Sequence, residues 1–543
     1  MTIAAQASLR KDGRVGRPFG RVLIANRGEI AIRIIRACRE LGIETVAVHS
    51  ESDATAMHVR MADQSVLLGP APAPESYLRA DAIVAAALAT GAEAIHPGYG
   101  FLAERASFAR AVEDAGLVYV GPSSTAIAAL GDKLAARRSA AAAGVPVVPG
   151  TFEASAVNRP DAVAAIVAEA EAIGFPLLVK AAAGGGGRGM RLVTAARDLP
   201  AALAAGSAEA QSAFGDGSVY LEREIKPARH IEVQLLGDSA GTVVALGERD
   251  CSLQRRHQKL VEEAPAPGLS PDERRGLHDV AVRAARAAGL GNAATAEFLF
   301  DPERRFWFLE VNTRLQVEHG VTELVADVDI VREQLWIAAG HELSERVLAA
   351  AAHAAEPTRH AIEVRISAED PARSFAPTPG RIGRWEVPSG PGIRVDAAVE
   401  PGSRVAPDYD PLIAKLMVVD ESRDAAIDRL ARALEETTVD GIQTTLPFHR
   451  FVAADPGFRS GPPSIDWVDH AWDAIARERR AMALEAAGHA AAAAVRDPSI
   501  VAGAEVPMAP ARGRDASAGP APGSDRSAWS RAGRARAVDR WPR

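Results

Sequence analysis

Ten residues, Glu310-Val-Asn-Thr-Arg-Leu-Gln-Val-Glu-His319, concentrate the reactive groups of this chain. Two carboxylates (Glu310, Glu318), two amides (Asn312, Gln316), a guanidinium (Arg314) and an imidazole (His319) alternate with Val311, Leu315 and Val317. A solvated surface does not need that apolar interleaving, and a plain core strand does not tolerate so many polar groups. Buried charge is costly unless it is paired or bound to an ion. The segment is therefore expected to line a site for both a metal and an anion. Just upstream, 295–300 and 305–310 read as two strands joined by Asp301-Pro-Glu-Arg304, which would place Glu297 opposite Glu310. With Asn312 these give hard oxygen donors suited to Mg²⁺ on a nucleotide's phosphates, and His/Cys zinc spacing is absent.

Other stretches carry complementary groups. A strand at 176–180 ends in Lys180 and runs into Ala-Ala-Ala-Gly184-Gly-Gly-Gly-Arg-Gly189. Consecutive glycines let backbone N–H groups approach phosphate oxygens. A tight hairpin needs only two or three residues, so this longer flap between Lys180 and Arg188 reads as a polyphosphate cover. It is not a Walker loop, because no G-K-[ST] closes it. The run from Gly247 to Lys259 gathers Arg255, Arg256, His257 and Lys259 in a non-helical, packed segment suited to phosphate or bicarbonate. Lysine occurs only at 11, 133, 180, 226, 259 and 415. Arg carries most of the positive charge, so each compact ammonium invites a functional reason.

The elements that must position these groups read as α/β. The apolar run 21–25, helical spacing from Ile30 to Leu41 stopped at Gly42, and the strand 44–48 form a βαβ unit that opens a parallel, doubly wound sheet. The first turn lacks G-x-G-x-x-G, so no dinucleotide site is expected there. Arg229-His-Ile-Glu-Val-Gln234 alternates like a half-buried strand. With 543 residues the chain exceeds one compact core. Its 48% hydrophobic and 24% charged content is ordinary for a globular protein. A net charge of −8 excludes a duplex-wide nucleic-acid footprint. No apolar run is long enough and free enough of charge to span a bilayer, no signal peptide is evident, and two cysteines suit a reducing compartment. A cytoplasmic location is expected.

Taken together the motifs resemble the biotin carboxylase family of ATP-grasp ligases. The strings are Ile24-Ala-Asn-Arg-Gly-Glu-Ile30, His96-Pro-Gly-Tyr-Gly-Phe-Leu102, Gly131-Asp-Lys133, 180–190, Arg255-Arg-His-Gln-Lys259, 310–319, 360–370, Pro379-Gly-Arg-Ile382 and Tyr409-Asp-Pro-Leu-Ile-Ala-Lys-Leu416, in the family's order over about 20–470. Residues 1–17 read as a polar, disordered arm, and the resemblance implies an N-terminal Rossmann-like α/β domain at 18–131. It further implies an ATP-grasp region at 132–345 with a lid at about 152–224, and a C-terminal domain at 346–472. The activity implied is ATP-dependent activation of bicarbonate to carboxyphosphate and carboxylation of biotin N1′. By position, Lys133, Lys180, Gly186, Gly187, Glu222, Arg223, Glu224, Ile225, His230 and His257 would bind ATP, together with Glu297 and Glu310. Glu297, Glu310 and Asn312 match ligands for two Mg²⁺ or Mn²⁺ ions. Lys259, Arg314, Gln316 and the Val317 backbone match the bicarbonate pocket, Glu318 the base, and Arg365 the group facing the biotin oxygen.

Three features depart from the usual pattern. Gly320 stands where proline usually follows Val-Glu-His, and Thr445 where asparagine is common. No lysine follows Lys415, and 473–543 is an Ala/Arg/Pro-rich tail expected to be largely disordered, with one possible helix at 474–495. Biotin is therefore expected on a separate biotin carboxyl carrier protein. A carboxyltransferase subunit is the further expected partner, and a homodimer the expected assembly. The competing expectation is another ATP-grasp ligase that joins a carboxylate to an amine.

Overall fold

The computed structural model describes residues 16–473, except 156, 158, 159 and 183–189. The predicted cover glycines Gly186 and Gly187 and the tail helix at 474–495 lie outside the described residues.

Strands β1 (Arg21–Ile24), β2 (Glu44–Ser50), β3 (Gln64–Gly69), β4 (Ala94–His96) and β5 (Val118–Tyr119) form the expected parallel sheet in the order β3-β2-β1-β4-β5. Between β1 and β2 runs α1 (Gly28–Leu41), whose Ile30, Ile34, Ile35, Cys38 and Leu41 are buried at helical spacing. Gly42 ends it in the left-handed conformation that a side chain disfavours, at φ 73°.

Helix α2 (Lys133–Ala142) is capped by the Asp132 carboxylate, which accepts from the Ala135 N–H. A separate antiparallel sheet, β7-β6-β8, follows, built from β6 (Leu177–Ala181), β7 (Arg191–Val193) and β8 (Val219–Arg223). The helices Pro160–Ile173 and Leu199–Phe214 pack with it around Leu177, Val179, Leu203 and Leu221. This small unit, which covers the stretch expected to be a lid, has its own core.

The largest sheet has eight antiparallel strands. Its middle-region part is β9 (Arg229–Gly237), β10 (Val243–Arg255), β11 (Gln258–Ala264), β12 (Asn292–Phe300) and β13 (Phe306–Asn312). The C-terminal part adds β14 (His360–Ser367), β15 (Ile393–Ala397) and β16 (Leu412–Asp420). The order is β13-β12-β9-β10-β11-β14-β16-β15, so the sheet runs unbroken across the expected boundary near 346 through the β11–β14 pair. A boundary inferred from chain order does not reveal this hydrogen-bonded seam. Among the described residues no helix is long and apolar enough to cross a membrane.

Two expectations need correction. The β9 strand is buried on both faces, with His230 8% exposed and Glu232 and Gln234 at 0%. Its polar residues turn inward because they find partners on β10, β11 and β12. The run Arg255–Lys259 does not form one anion site either. Arg256 and His257, both at positive φ (49° and 65°), make a two-residue hairpin turn between β10 and β11. That turn sends the four cations to different places.

Candidate active site

The predicted hairpin places Glu297 directly opposite Glu310 in register, with Thr295 opposite Asn312. Asn312 donates its side-chain N–H to Glu297 Oε1 at 2.8 Å, and Gln316 donates to the same oxygen at 3.1 Å. His230 Nε2 lies 3.1 Å from Glu297 Oε2. Burial opposes charge on that imidazole, but Glu297 outweighs it and raises the His230 pKa. Glu297 shows the reverse balance: burial disfavours its ionised form, while Lys259 and His230 hold it well below the usual carboxylate range.

Lys259 sits at the centre of the cluster. Its ammonium donates to Glu232, to Glu318 Oε1 at 2.6 Å and to Glu297 Oε1 at 3.3 Å. On the other side of Glu318, Oε2 accepts from Arg365 at 3.0 Å, while Arg365 Nε donates to Glu262 Oε1 at 2.6 Å. Glu318 is fully buried. Desolvation pushes its carboxyl up, yet Lys259, Arg365 and Arg249 together hold it far below the ordinary range. It is therefore a carboxylate in the resting protein, able to accept a proton when that cationic field is neutralised.

Arg314 lies on the same loop as Glu318. Its guanidinium donates to Gln316 Oε1 at 2.8 Å and lies 3.1 Å from Glu104 Oε2. Chain continuity explains the tight grouping: β13 ends at Asn312, the loop carries Arg314 to Glu318, and α3 (His319–Ala326) begins immediately after. His319 Nδ1 lies 2.7 Å from the Gln316 carbonyl oxygen. The ring is fully buried, and burial pushes its pKa down to about 3. It braces the loop as a neutral group rather than serving as an acid.

A second cluster lies toward the lid. Lys180 on β6 and Arg137 on α2 both donate to the buried Glu222 carboxylate of β8. Lys133, at the start of α2, is 3.3 Å from Glu310 Oε2. Arg223 is exposed, while Glu224 and Ile225 are half-buried in the stretch between β8 and β9. His257 stands at the exposed hairpin tip, with Lys180, His230 and Lys226 among the charges acting on it. Arg255 leaves the site altogether: it stacks on Phe375 at 4.9 Å and donates to the Ser374 carbonyl oxygen at 3.1 Å.

Several participants escape a reading by local motif. Glu232 and Arg249, both 0% exposed, form the cluster's floor. Arg249 donates to Glu232 Oε1 at 2.6 Å and to Gln234 Oε1 at 2.8 Å. In the sequence Glu232 shows only as one of the polar residues of β9, and Arg249 only as a member of the run from Gly247 to Lys259. Thr445 is fully buried, accepts from the Ser367 N–H at 3.0 Å, and donates to the Arg365 carbonyl oxygen at 2.8 Å. It ties down the backbone that carries Arg365.

Two buried groups of carboxylates with a histidine or cysteine, His230/Glu232/Glu297 and Glu232/Cys251/Glu318, lie close enough to share an ion. The Lys259 ammonium already contacts Glu232, Glu297 and Glu318, so a metal at either would have to displace it. The Glu297–Glu310 pair with Asn312 shares the Lys259 contact at Glu297, but it fits a hard divalent cation better, since every donor is oxygen and Glu310 stays partly open at 35% side-chain exposure.

Comparisons with known proteins give the family. Residues 18–127 match the biotin carboxylase N-terminal domain, 132–346 the ATP-binding domain of the carbamoyl-phosphate synthase L chain, and 363–470 the biotin carboxylase C-terminal domain. Biotin carboxylase 1 of Bacillus subtilis is 48% identical over 442 residues, covering 81% of this chain and 96% of the relative. The chain belongs to the biotin carboxylase family. A pyruvate carboxylase subunit of Methanothermobacter thermautotrophicus is 46% identical over 470 residues, 86% of this chain and 93% of that protein. The Campylobacter jejuni biotin carboxylase–β,γ-ATP complex superposes with a TM-score of 0.79 at 42% identity, covering 83% of this chain and 99% of the other. The Hydrogenobacter thermophilus 2-oxoglutarate carboxylase biotin carboxylase domain dimer, with MgADP, ADP and bicarbonate, gives 0.78 at 44% identity, covering 83% and 97%. The fold that superposes on these structures combines an N-terminal parallel sheet with a large antiparallel one in this chain.

Proposed function

We propose that the chain activates bicarbonate with ATP and transfers the carboxyl group to biotin borne by a separate carrier protein, the first half-reaction of an acyl-CoA carboxylase. The observation that carries this is the position of Glu318 between Lys259 and Arg365, beside Arg314 and Gln316 on one loop. In this reading Lys259, Arg314, Gln316 and the Val317 N–H hold bicarbonate. The anion's charge offsets the cations that now stabilise Glu318, so the carboxylate takes the bicarbonate proton as its oxygen attacks the γ-phosphorus. Lys133, Lys180, His230 and His257 orient the nucleotide, with residues 222–225 along the adenine and Gly186 and Gly187 over the phosphates. Phosphoryl transfer depends mainly on such positioning and charge neutralisation. Glu297, Glu310 and Asn312 would hold Mg²⁺ or Mn²⁺, which supplies charge neutralisation on the phosphate oxygens. Arg365 stabilises the developing negative charge on the ureido oxygen as biotin loses its N1′ proton. Closing the lid excludes water that would hydrolyse carboxyphosphate.

A homodimer, association with a carboxyltransferase and a cytoplasmic location complete the reading. The dimer draws support from the dimeric Hydrogenobacter relative, and the location from two free, buried cysteines. An acyl-CoA acceptor is its finest part, because relatives of similar identity include a pyruvate carboxylase subunit. The test is ATP hydrolysis that requires bicarbonate and is stimulated by free biotin. Hydrolysis that ignores both would favour the other reading, a carboxylate–amine ligase, for which the middle domain's carbamoyl-phosphate synthase match speaks. Reconstitution with carrier and transferase over acetyl-CoA, propionyl-CoA and pyruvate tests the acceptor.

A further inference from the structure

The loop bearing Glu318 rests on a face of β16 that no step of the proposed reaction uses. Lys415 and Met417 lie two residues apart on that strand and so project from the same side. Lys415, fully buried, donates to the Val317 carbonyl oxygen at 2.7 Å and lies 3.4 Å from Glu29 Oε2 of α1. Met417, also at 0% exposure, reaches under the first turn of α3. A Cβ added at Gly320 would stand 2.3 Å from Met417 Sδ and 3.4 Å from Glu363 Oε2. Gly320 is not among the glycines at positive φ, so its lack of a side chain provides room rather than conformational freedom. The two β16 side chains therefore meet the chain just before and just after Glu318, at Val317 and Gly320. Beyond them, α3 is fixed by Glu323, which pairs with Arg33 of α1 at 2.9 Å and Arg394 of β15 at 2.7 Å.

We propose that Lys415 and Met417 are positioning residues for Glu318. Lys415 fixes the peptide before it, and the Met417 thioether, matched to the bare backbone of Gly320, sets the height of the turn after it. The inference rests on Glu318 being the base for bicarbonate. It explains why glycine occupies position 320. A larger residue there, proline included, requires a smaller one at 417. Proline is tolerated in the first turn of a helix, so the thioether, not the backbone, forbids it.

A double-mutant cycle on the full chain tests this, with Gly320→Ala, Met417→Val and the pair. Valine removes Sδ and Cε but keeps a strand-favouring side chain. The readouts are kcat and KM for bicarbonate and for ATP in bicarbonate-dependent ATP hydrolysis, with a melting curve for each variant. Gly320→Ala is expected to lower kcat/KM for bicarbonate by about tenfold or more, since misplacement of a catalytic group by ~1 Å can cost on the order of 100-fold. The KM for ATP should stay unchanged. Adding Met417→Val should recover most of the loss. Full activity of Gly320→Ala, independent effects of the two substitutions, or a parallel rise in the KM for ATP would overturn the proposal. If Gly320→Ala does not fold, Met417→Val alone decides: a several-fold loss confined to bicarbonate supports the proposal, and unchanged kinetics overturn it. A wild-type chain without bicarbonate-dependent hydrolysis would instead remove the functional reading on which the inference stands.

Discussion

Replacing Glu318 by Gln separates the base from every other part of the site. The amide has nearly the same shape, so its oxygen can still accept from Lys259, 2.6 Å away in the native chain. Its NH₂ group, however, would face Arg365, which now donates to Oε2 at 3.0 Å. A donor facing a donor, with Lys259 and Arg365 left undercompensated, should destabilise the fold. Breaking a buried pair outright costs about 3–5 kcal/mol, and the retained hydrogen bond places this variant near the lower end. The kinetic effect should be larger. Losing a general base costs about 10²–10⁴-fold, or roughly 3–5 kcal/mol in barrier height. Nucleotide affinity should not change, because Lys180 pairs with Glu222 and Lys133 with Glu310, away from Glu318. The assay is ATP hydrolysis at saturating bicarbonate, with nucleotide binding measured separately by calorimetry. A variant that turns over within a few-fold of wild type, or one that loses ATP binding instead, would refute the assignment. Stability gives an independent check. The folded Glu318 pKa is depressed, so its stabilisation is present above the usual carboxylate pKa and is lost as pH falls toward the folded value. In Glu318→Gln that component of acid destabilisation should be missing.

Other outcomes follow from neighbouring features. Thr445→Val removes the hydroxyl that bonds both Ser367 N–H and the Arg365 carbonyl, and should cost about 1–3 kcal/mol, read as a lower melting temperature. Glu310→Gln should move the Mg²⁺ titration of ATP hydrolysis to at least about tenfold higher concentration, since even indirect partners of a metal ligand cost 10–100-fold in affinity; an unmoved titration would exclude Glu310 as a ligand. His58 and His449 are held by burial near pKa 4, and His96 and His319 near 3, so the unfolded chain gains protons below about pH 6.5 that these sites refuse in the folded state. These histidines weaken the fold as pH drops from 7 to 5, while buried Glu29, Glu262 and Glu369, pushed up to about 7, act in the opposite sense; His449→Gln should therefore shift the melting temperature at pH 5 upward relative to pH 7, compared with the same difference in wild type. The purified chain should not be detected by streptavidin as covalently biotinylated.

The parts of the site legible from sequence were those set by local geometry. The hairpin itself could be read from its connection, but loop length alone would set Glu297 against Phe308; a bulge between Glu297 and Phe298 helps bring Glu297 opposite Glu310. Gly42 announced a helix end through chemistry confined to one turn. What sequence did not reveal was set by distant pairing. Glu232 looked like the wet face of a half-buried strand because its partners Arg249 and Lys259 lie on strands that only the folded sheet brings beside it. The Arg255–Lys259 run looked like one cationic patch because residue counting does not show a two-residue turn, which leaves Arg256 and His257 at the tip and puts Arg255 and Lys259 on opposite faces of the hairpin. Thr445 looked like a mere departure from a pattern until its hydroxyl was found bridging to the Arg365 backbone.

The β11–β14 seam also sets the order in which this pocket can come into being. It joins Val261 to Val364 and Ala264 to Ala361, pairings about a hundred residues apart along the chain. Closing so long a span costs chain entropy before any contact offsets it, so the seam belongs to the slow, late part of folding. Glu318 acquires Arg365 only when β14 docks, and its loop acquires Lys415 only when β16 adds to β14. On the ribosome, then, the nucleotide-facing hairpin can assemble while the carboxylate that would activate bicarbonate still lacks its guanidinium. A half-made chain could hold ATP without the means to use it.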